Sequence, residues 1–260
     1  MDLKLEEKRV LISGSRSMLG LATSKQLLLE GATVCINGRN EKRLDSALAE
    51  FSRFKRVFAY QADITREDNC ADKVSFVNEK MGGDILVINR NCPPPGTFEK
   101  LESYQWGLAI ERSFLIHVYL IKYALPFLKV SSTPRVLTVP SFTAKQPLEN
   151  LILSNSIRAV TLGLTKSLSK KFGEINIRVN SILPGWTLTQ RVNDLINDSV
   201  SLNNSSFEKE ISNITDKIPL FRMALPEEFG KVAAYIVSPA ASYIKGVLLN
   251  VDSGLYNGLQ

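Results

Sequence analysis

The 260-residue sequence predicts an α/β fold, a doubly wound parallel sheet with helices on both faces. Three observations predict it. Short apolar, β-branched runs recur along the chain, stretches of helical length separate them, and the first run ends in a glycine turn that opens directly into a helix. Parallel neighbours require crossovers, and right-handed crossovers distribute the helices over both faces.

The elements follow in order. "KRVLISG", residues 8–14, is a short apolar strand ending at a glycine, and "LGLATSKQLLLE", 19–30, is a helix closed by Gly31. "ATVCING" and "EKRLDSALAEFSRF" give a second strand and helix and complete a β-α-β unit. The alternation continues through the strand "VFAYQAD", the helix "DNCADKVSFVNEKM", the strand "DILVINR" and a helical span over 101–128. The strand "RVLTVPS", a helix near 155–172, the strand "IRVNSILPG" and a last strand in "GVLLNVD" complete the pattern. Between the last two strands, 187–218 is rich in Asn and Ser and follows a strand's C-terminal end. It reads either as a lid over the ligand crevice or as a mobile surface excursion. No repeat, low-complexity tract or linker divides residues 1–260, so one domain is expected.

A hydrophobic content of 44% can supply the core of such a domain. The sequence has no run of 18 uninterrupted apolar residues, and "MDLKLEEKRV" carries charges where a signal peptide needs an apolar stretch. A cytoplasmic protein without membrane association is therefore expected. Cys35, Cys70 and Cys92 are widely spaced and odd in number, which favours buried thiols over a disulfide framework, and no metal site is expected. The net charge of +6 is dispersed through mixed-sign stretches such as "EKRLD". That pattern argues against a nucleic-acid partner and for a solvated surface with a few positive charges serving an anionic cofactor.

"SGSRSMLG", Ser13 to Gly20, lies between the first strand and first helix, where backbone N–H groups and the helix dipole hold a pyrophosphate. Here the chain resembles the short-chain dehydrogenase/reductases, whose fingerprint is T-G-x-x-x-G-x-G. Gly14 and Gly20 match its first and third glycines, and Met18 replaces the middle one. The resemblance implies a Rossmann-like cofactor domain with Gly14, Ser15, Arg16, Ser17, Leu19 and Gly20 around the pyrophosphate. NAD-preferring members carry a carboxylate at the end of the second strand, but "INGRN" has Gly38 and Arg39 there. Arg39 can pair with a 2′-phosphate, so NADP is expected ahead of NAD; a solvated turn arginine is the alternative. Asp63 and Ile64 of "QADIT" fall where members contact adenine. The family's N-N-A-G becomes "INRN", in which Asn89 keeps the second asparagine while Ile88, Arg90 and Asn91 replace the others.

The resemblance also implies a catalytic serine, matched by Ser141 of "TVPSFTAKQP", which reads equally well as a strand-end serine capping local backbone. Thirteen residues later, "LILSNSIRAV" carries Ser154 and Arg158 where the family has Y-x-x-x-K, and Ser113 stands at the family's asparagine position. The i, i+4 spacing puts Ser154 and Arg158 on one helix face. A tyrosine phenol, with a reference pKa of about 10, can be tuned into a general acid, whereas an alkyl hydroxyl cannot. Arg158 can hold ribose hydroxyls and supply positive charge but cannot relay a proton. Lys145 is the first candidate for a replacement acid, and His117, mid-helix among apolar neighbours, reads as core.

"LPGWTLTQR" restores the match: Pro184 and Gly185 form the family's P-G turn, and Thr187 or Thr189 takes the place of a threonine that contacts the nicotinamide carboxamide. "IKGVLLNVDSG" resembles a closing strand that packs across a tetramer interface in relatives, which implies a homo-oligomer, dimer or tetramer. Two functions stay open. One is an NADP-dependent oxidoreductase for a small carbonyl or secondary alcohol, with solvent or Lys145 as proton source. The other is a catalytically impaired homologue that binds cofactor or ligand or serves as a structural partner.

Overall fold

In the computed structural model, which describes residues 1–15, 18–90 and 93–259, each of the seven apolar runs becomes a strand. They are β1 (Arg9–Ser13), β2 (Thr33–Gly38), β3 (Val57–Gln61), β4 (Ile85–Asn89), β5 (Arg135–Val139), β6 (Arg178–Pro184) and β7 (Leu248–Val251). All neighbours pair in parallel, in the order β3-β2-β1-β4-β5-β6-β7. The chain runs outward from β1 to β3, then returns to β4 on the other side of β1. The β1/β4 boundary is thus the switch point, where the loops at the strands' C-terminal ends diverge and leave a crevice. Arg16 and Ser17, expected at the pyrophosphate, lie outside the described residues, as do Asn91 and Cys92.

The helices are α1 (Met18–Leu29), α2 (Glu41–Glu50), α3 (Glu67–Met81), α4 (Ser103–Ala109), α5 (Ile116–Val130), α6 (Ile152–Lys171), α7 (Gln190–Asn203), α8 (Phe207–Thr215) and α9 (Pro226–Val237). One core buries Leu27 and Leu28 of α1, Leu44 of α2 and Phe229, Ala233 and Val237 of α9 against one face of the sheet. The other buries Val74 and Val77 of α3 and Ile116, Leu120 and Leu128 of α5 against the opposite face. This is the doubly wound arrangement expected.

Three local features depart from the sequence reading. The helical span near 101–128 is interrupted by a π-helical turn, Ile110–Leu115, between α4 and α5. The composite Ser103–Val130 is long and apolar enough to cross a bilayer by length and composition, but its α5 half buries His117, Leu120, Ile121 and Leu128 within the protein. The polar 187–218 segment folds into α7 and α8, joined at Asn204 in the left-handed region (φ 48°), and Ile196 and Ile218 pack beneath it with Phe142 and Met223. α9, begun by Pro226 at its first position, supplies much of one core although no sequence motif drew attention to it.

Polar ties fix the frame at both ends of the strands. At the N-terminal end, Asp84 accepts hydrogen bonds from the Arg9 backbone N–H (3.1 Å), Arg9 Nε (2.7 Å), Arg9 Nη2 (2.8 Å) and Ser131 Oγ (2.6 Å). Between β5, α6 and β6, the buried hydroxyls of Thr138, Thr165 and Ser181 form a closed triangle with edges of 2.6, 3.0 and 3.0 Å.

Lys73 of α3 is fully buried, with Nζ 3.5 Å from the Ile12 carbonyl oxygen. Burial pushes its pKa down to about 8, against a smaller upward pull from Cys35 and then Cys70. Below pH 8 the ammonium is charged both folded and unfolded, so the full desolvation cost is present. Between about 8 and the ordinary lysine value of 10.5 the unfolded chain holds the extra proton, and wild-type stability from this group rises with pH. Lys73→Met is therefore expected to stabilise the protein at pH 7 by on the order of 3 kcal/mol, at about 1.4 kcal/mol per pKa unit. That advantage should vanish as the pH approaches 10.5; denaturant midpoints of both proteins across this range check it.

Candidate active site

A cleft of about 480 Å³ opens at the C-terminal ends of the strands. Asn89 closes β4, Val139 to Ser141 close β5, and Pro184 to Thr189 follow β6; α1 contributes Met18 and Leu19, α6 contributes Ser154 and Arg158, and the first turns of α7 form a wall.

The turn after β1 is built for close approach. Gly14 has φ +61°, and a Cβ there would lie 2.1 Å from the Asn89 carbonyl oxygen; a Cβ on Gly20 would lie 2.6 Å from the Gly14 carbonyl oxygen. Asn89 Nδ2 donates to that Gly14 oxygen (3.1 Å), and Ser13 Oγ donates to the Asn89 carbonyl (3.2 Å), so β1 and β4 are laced together at the crevice. A glycine turn leading into a helix N-terminus is a setting that suits a pyrophosphate. Met18, at the middle glycine position, is 45% exposed at the rim of the cleft. Ser15 is committed inward: its Oγ accepts from Asn37 N–H (2.6 Å) and donates to the Asn37 carbonyl (3.2 Å). Its side chain is buried, so any contact it makes with a cofactor is through its backbone.

Beyond β2, Arg39 is half exposed, and its Nη1 lies 3.5 Å from an Asp63 carboxylate oxygen. Burial works to raise the Asp63 pKa, but hydrogen bonds from Thr65 and then the Arg39 charge outweigh it and hold the carboxyl ionised below its ordinary range. Ile64 turns into the core, 3% exposed, and its side chain is not at the cleft.

At the far end of the cleft Ser141 lines the wall and accepts a hydrogen bond from the Thr143 N–H (3.3 Å), the local backbone cap that its sequence position also allowed. Ser154 (2% exposed) and Arg158 (4%) share the inner face of α6 and line the same cleft. Among the described residues Ser154 Oγ makes no hydrogen bond. Arg158 donates to the Val139 carbonyl (3.0 Å) and to the Arg90 carbonyl (3.4 Å). Arg90 in turn donates from Nε to the Arg112 carbonyl within the π-helical turn. Burial, followed by the charge of Arg39, pushes the Arg90 pKa down to about 10, still fully charged at neutral pH. The bulk that replaces a small residue after β4 is thus folded back toward the π-helical turn.

Two expectations change. Ser113 is buried in that turn, 7% exposed, and does not line the cleft. Lys145, expected as a replacement acid, points to the sheet edge: Nζ donates to the Leu248 carbonyl (3.1 Å) and lies 5.3 Å from the Tyr256 ring centroid. It does not line the cleft, because the short helical turn Phe142–Ala144 carries it past the mouth. His117 is buried, and burial, followed by the Arg158 charge, pushes its pKa down to about 4, leaving a neutral imidazole. Thr189 lines the cleft and caps α7 through the Val192 N–H (3.3 Å), and Thr187 lines it with its hydroxyl on the Gly185 carbonyl (3.3 Å). Sequence reasoning missed Arg43 and Arg191, which also line it; the only signal was a basic residue shortly after the threonine turn.

The family model described as enoyl-(acyl carrier protein) reductase matches residues 14–256. The uncharacterized oxidoreductase YvrD of Bacillus subtilis is 30% identical over 263 residues, covering all of both chains. The 3-oxoacyl-[acyl-carrier-protein] reductase FabG of Thermotoga maritima is 26% identical, covering 97% of this chain and 99% of the other. The crystal structure of L-sorbose reductase from Gluconobacter frateurii, complexed with NADPH and L-sorbose, superposes with a TM-score of 0.94 at 27% identity, with full coverage of both chains. With a match that runs from the glycine turn to the last strand, the chain belongs to the short-chain dehydrogenase/reductases, a family of oxidoreductases.

Proposed function

We propose that this protein binds NADPH in the cleft and transfers its hydride to the carbonyl carbon of a small substrate. The observation that carries the reading is the convergence of Ser141, Arg158 and Thr189 on one cleft with Met18 and Leu19 of α1 and with Asn89, which is hydrogen-bonded to the glycine turn. Gly14 and Gly20 allow the tight turn and the close seating of α1 that present its N-terminus to the pyrophosphate, Arg39 pairs with the 2′-phosphate, and Arg158 holds the ribose hydroxyls. Bound NADPH supplies the hydride. Ser141 hydrogen-bonds the carbonyl oxygen as charge develops on it, and the Arg158 guanidinium stabilises that charge. With Lys145 directed elsewhere, the alkoxide takes its proton from solvent water. α7 and α8 act as a lid over the substrate end, and the exposed Phe98, Tyr104 and Ile110 support assembly of the chain into a dimer or tetramer.

The competing reading, cofactor binding without turnover, draws on one fact: the described ionisable side chains lining the cleft are Arg43, Arg90, Arg158, Arg191 and Asp194, none a general acid near neutrality. Fluorescence titrations with NADPH and NADH test what both share, and a carbonyl panel separates them. NADPH is expected to bind at least about tenfold more tightly than NADH, and Arg39→Ala to remove most of that difference while leaving NADH unaffected. Absence of NADPH binding sinks both readings; binding without any carbonyl-dependent oxidation sinks the first.

A further inference from the structure

The cleft wall carries four guanidinium groups, on Arg43, Arg90, Arg158 and Arg191, against one carboxylate among the described lining residues, Asp194. Arg158 and Arg90 are engaged with the backbone carbonyls of Val139, Arg90 and Arg112. Asp194 accepts from Gln190 Nε2 (2.9 Å) and forms no ion pair with any of the four.

Arg191 is the one of the four that belongs to α7. It stands in the first turn of α7 and reaches over the cleft to donate from Nη2 to the Pro93 carbonyl (3.2 Å), on the loop after β4. Among the described residues its Nε is buried with no hydrogen-bond partner and no carboxylate forms an ion pair with it. A buried guanidinium N–H without an acceptor is costly to keep, and it is satisfied when an anion is bound. In the reading above the cofactor's phosphates are assigned to the turn after β1 and to Arg39, neither of which involves Arg191. Beside Arg191 the cleft is apolar, with Leu148, Leu151, Trp186 and Leu195.

Resting on the reductase reading above, we infer that the substrate is an oxo acid, its carboxylate held by Arg191 and its apolar body against Trp186 and Leu148. The planar fork of a guanidinium matches the two oxygens of a carboxylate, and the same contact discriminates against neutral carbonyl compounds of equal size.

The probes are 2-oxooctanoate, its methyl ester and 2-octanone, offered to the NADPH-saturated protein. The acid is expected to have a KM at least tenfold below the ester. Arg191→Gln should raise the acid's KM on the order of tenfold to a hundredfold, leave the ester's KM and the NADPH Kd unchanged, and be partly rescued by Arg191→Lys. Equal losses for acid and ester, or a loss confined to NADPH affinity, overturn the assignment. Calorimetric titration of the acid into the NADP⁺ complex reads the contact without turnover. Arg191-dependent binding there with no reduction leaves the substrate class standing and removes the reductase reading, whereas no preference for the acid over its ester removes the substrate class.

Discussion

Replacing Ser154 by Tyr together with Arg158 by Lys is expected to raise kcat for NADPH-dependent carbonyl reduction by about 10²–10⁴-fold, the usual contribution of a positioned general acid. The two side chains lie one turn apart on the inner face of α6, both buried and both lining the cleft. A phenol at 154 enters the cleft that Ser141 also lines, and an ammonium at 158 both lowers its pKa and can exchange a proton, the second of which a guanidinium cannot do. The check is steady-state turnover alongside NADPH titration, with cofactor affinity expected to move only a few-fold. A double variant that folds and binds NADPH yet shows no gain argues that the proton step is not what limits the wild type. The tyrosine alone should gain less than the pair, since the two act as a unit.

The second large effect is on stability. Asp84→Asn is expected to destabilise the protein by about 2–3 kcal/mol, because a 5% exposed carboxylate that gathers four hydrogen bonds loses its charge while Arg9 stays in place. For a chain of this length that corresponds to a Tm lowered by roughly 4–12 °C. Burial works to raise the Asp84 pKa, but the Arg9 and Ser131 hydrogen bonds outweigh it and hold it below the ordinary aspartate range. A depressed folded pKa stabilises above the unfolded value, and that stabilisation is lost as pH falls through the folded one. The gap between wild type and variant should therefore be full at pH 6 and should close below about pH 4; thermal melts at both pH values measure it. NADPH affinity is expected to be unchanged, as the network lies at the strands' N-terminal ends and the cleft at the other.

The seven strands and the cofactor turn were legible because their signals are local: a buried parallel strand must be apolar throughout, and a turn that a Cβ would block must be glycine. The spacing of Ser154 and Arg158 was legible for the same reason, since helical periodicity fixes which residues share a face. Lys145 was misread because its direction depends on one short helical turn and a carbonyl on β7, contacts more than a hundred residues apart in sequence. The 187–218 segment looked irregular because Asn and Ser have low helix propensity. α7 and α8 form because Val192, Ile196 and Val200 in the first, and Phe207, Ile211 and Ile214 in the second, recur at helical spacing over a small core, a pattern the surrounding polar residues obscured. Arg191 gave almost no signal; its meaning comes from what lies opposite it.

The hydroxyl triangle of Thr138, Thr165 and Ser181 bears on how this active site tolerates change. A helix seated on a sheet only by aliphatic contacts can rotate or slide at little expense when one of its side chains is exchanged. α6 is instead indexed to β5 and β6 by directional bonds two to three turns beyond Ser154 and Arg158. Residues at 154 and 158 are therefore exchangeable parts on a keyed shaft: new chemistry can be installed there, or old chemistry removed, without the helix losing its alignment.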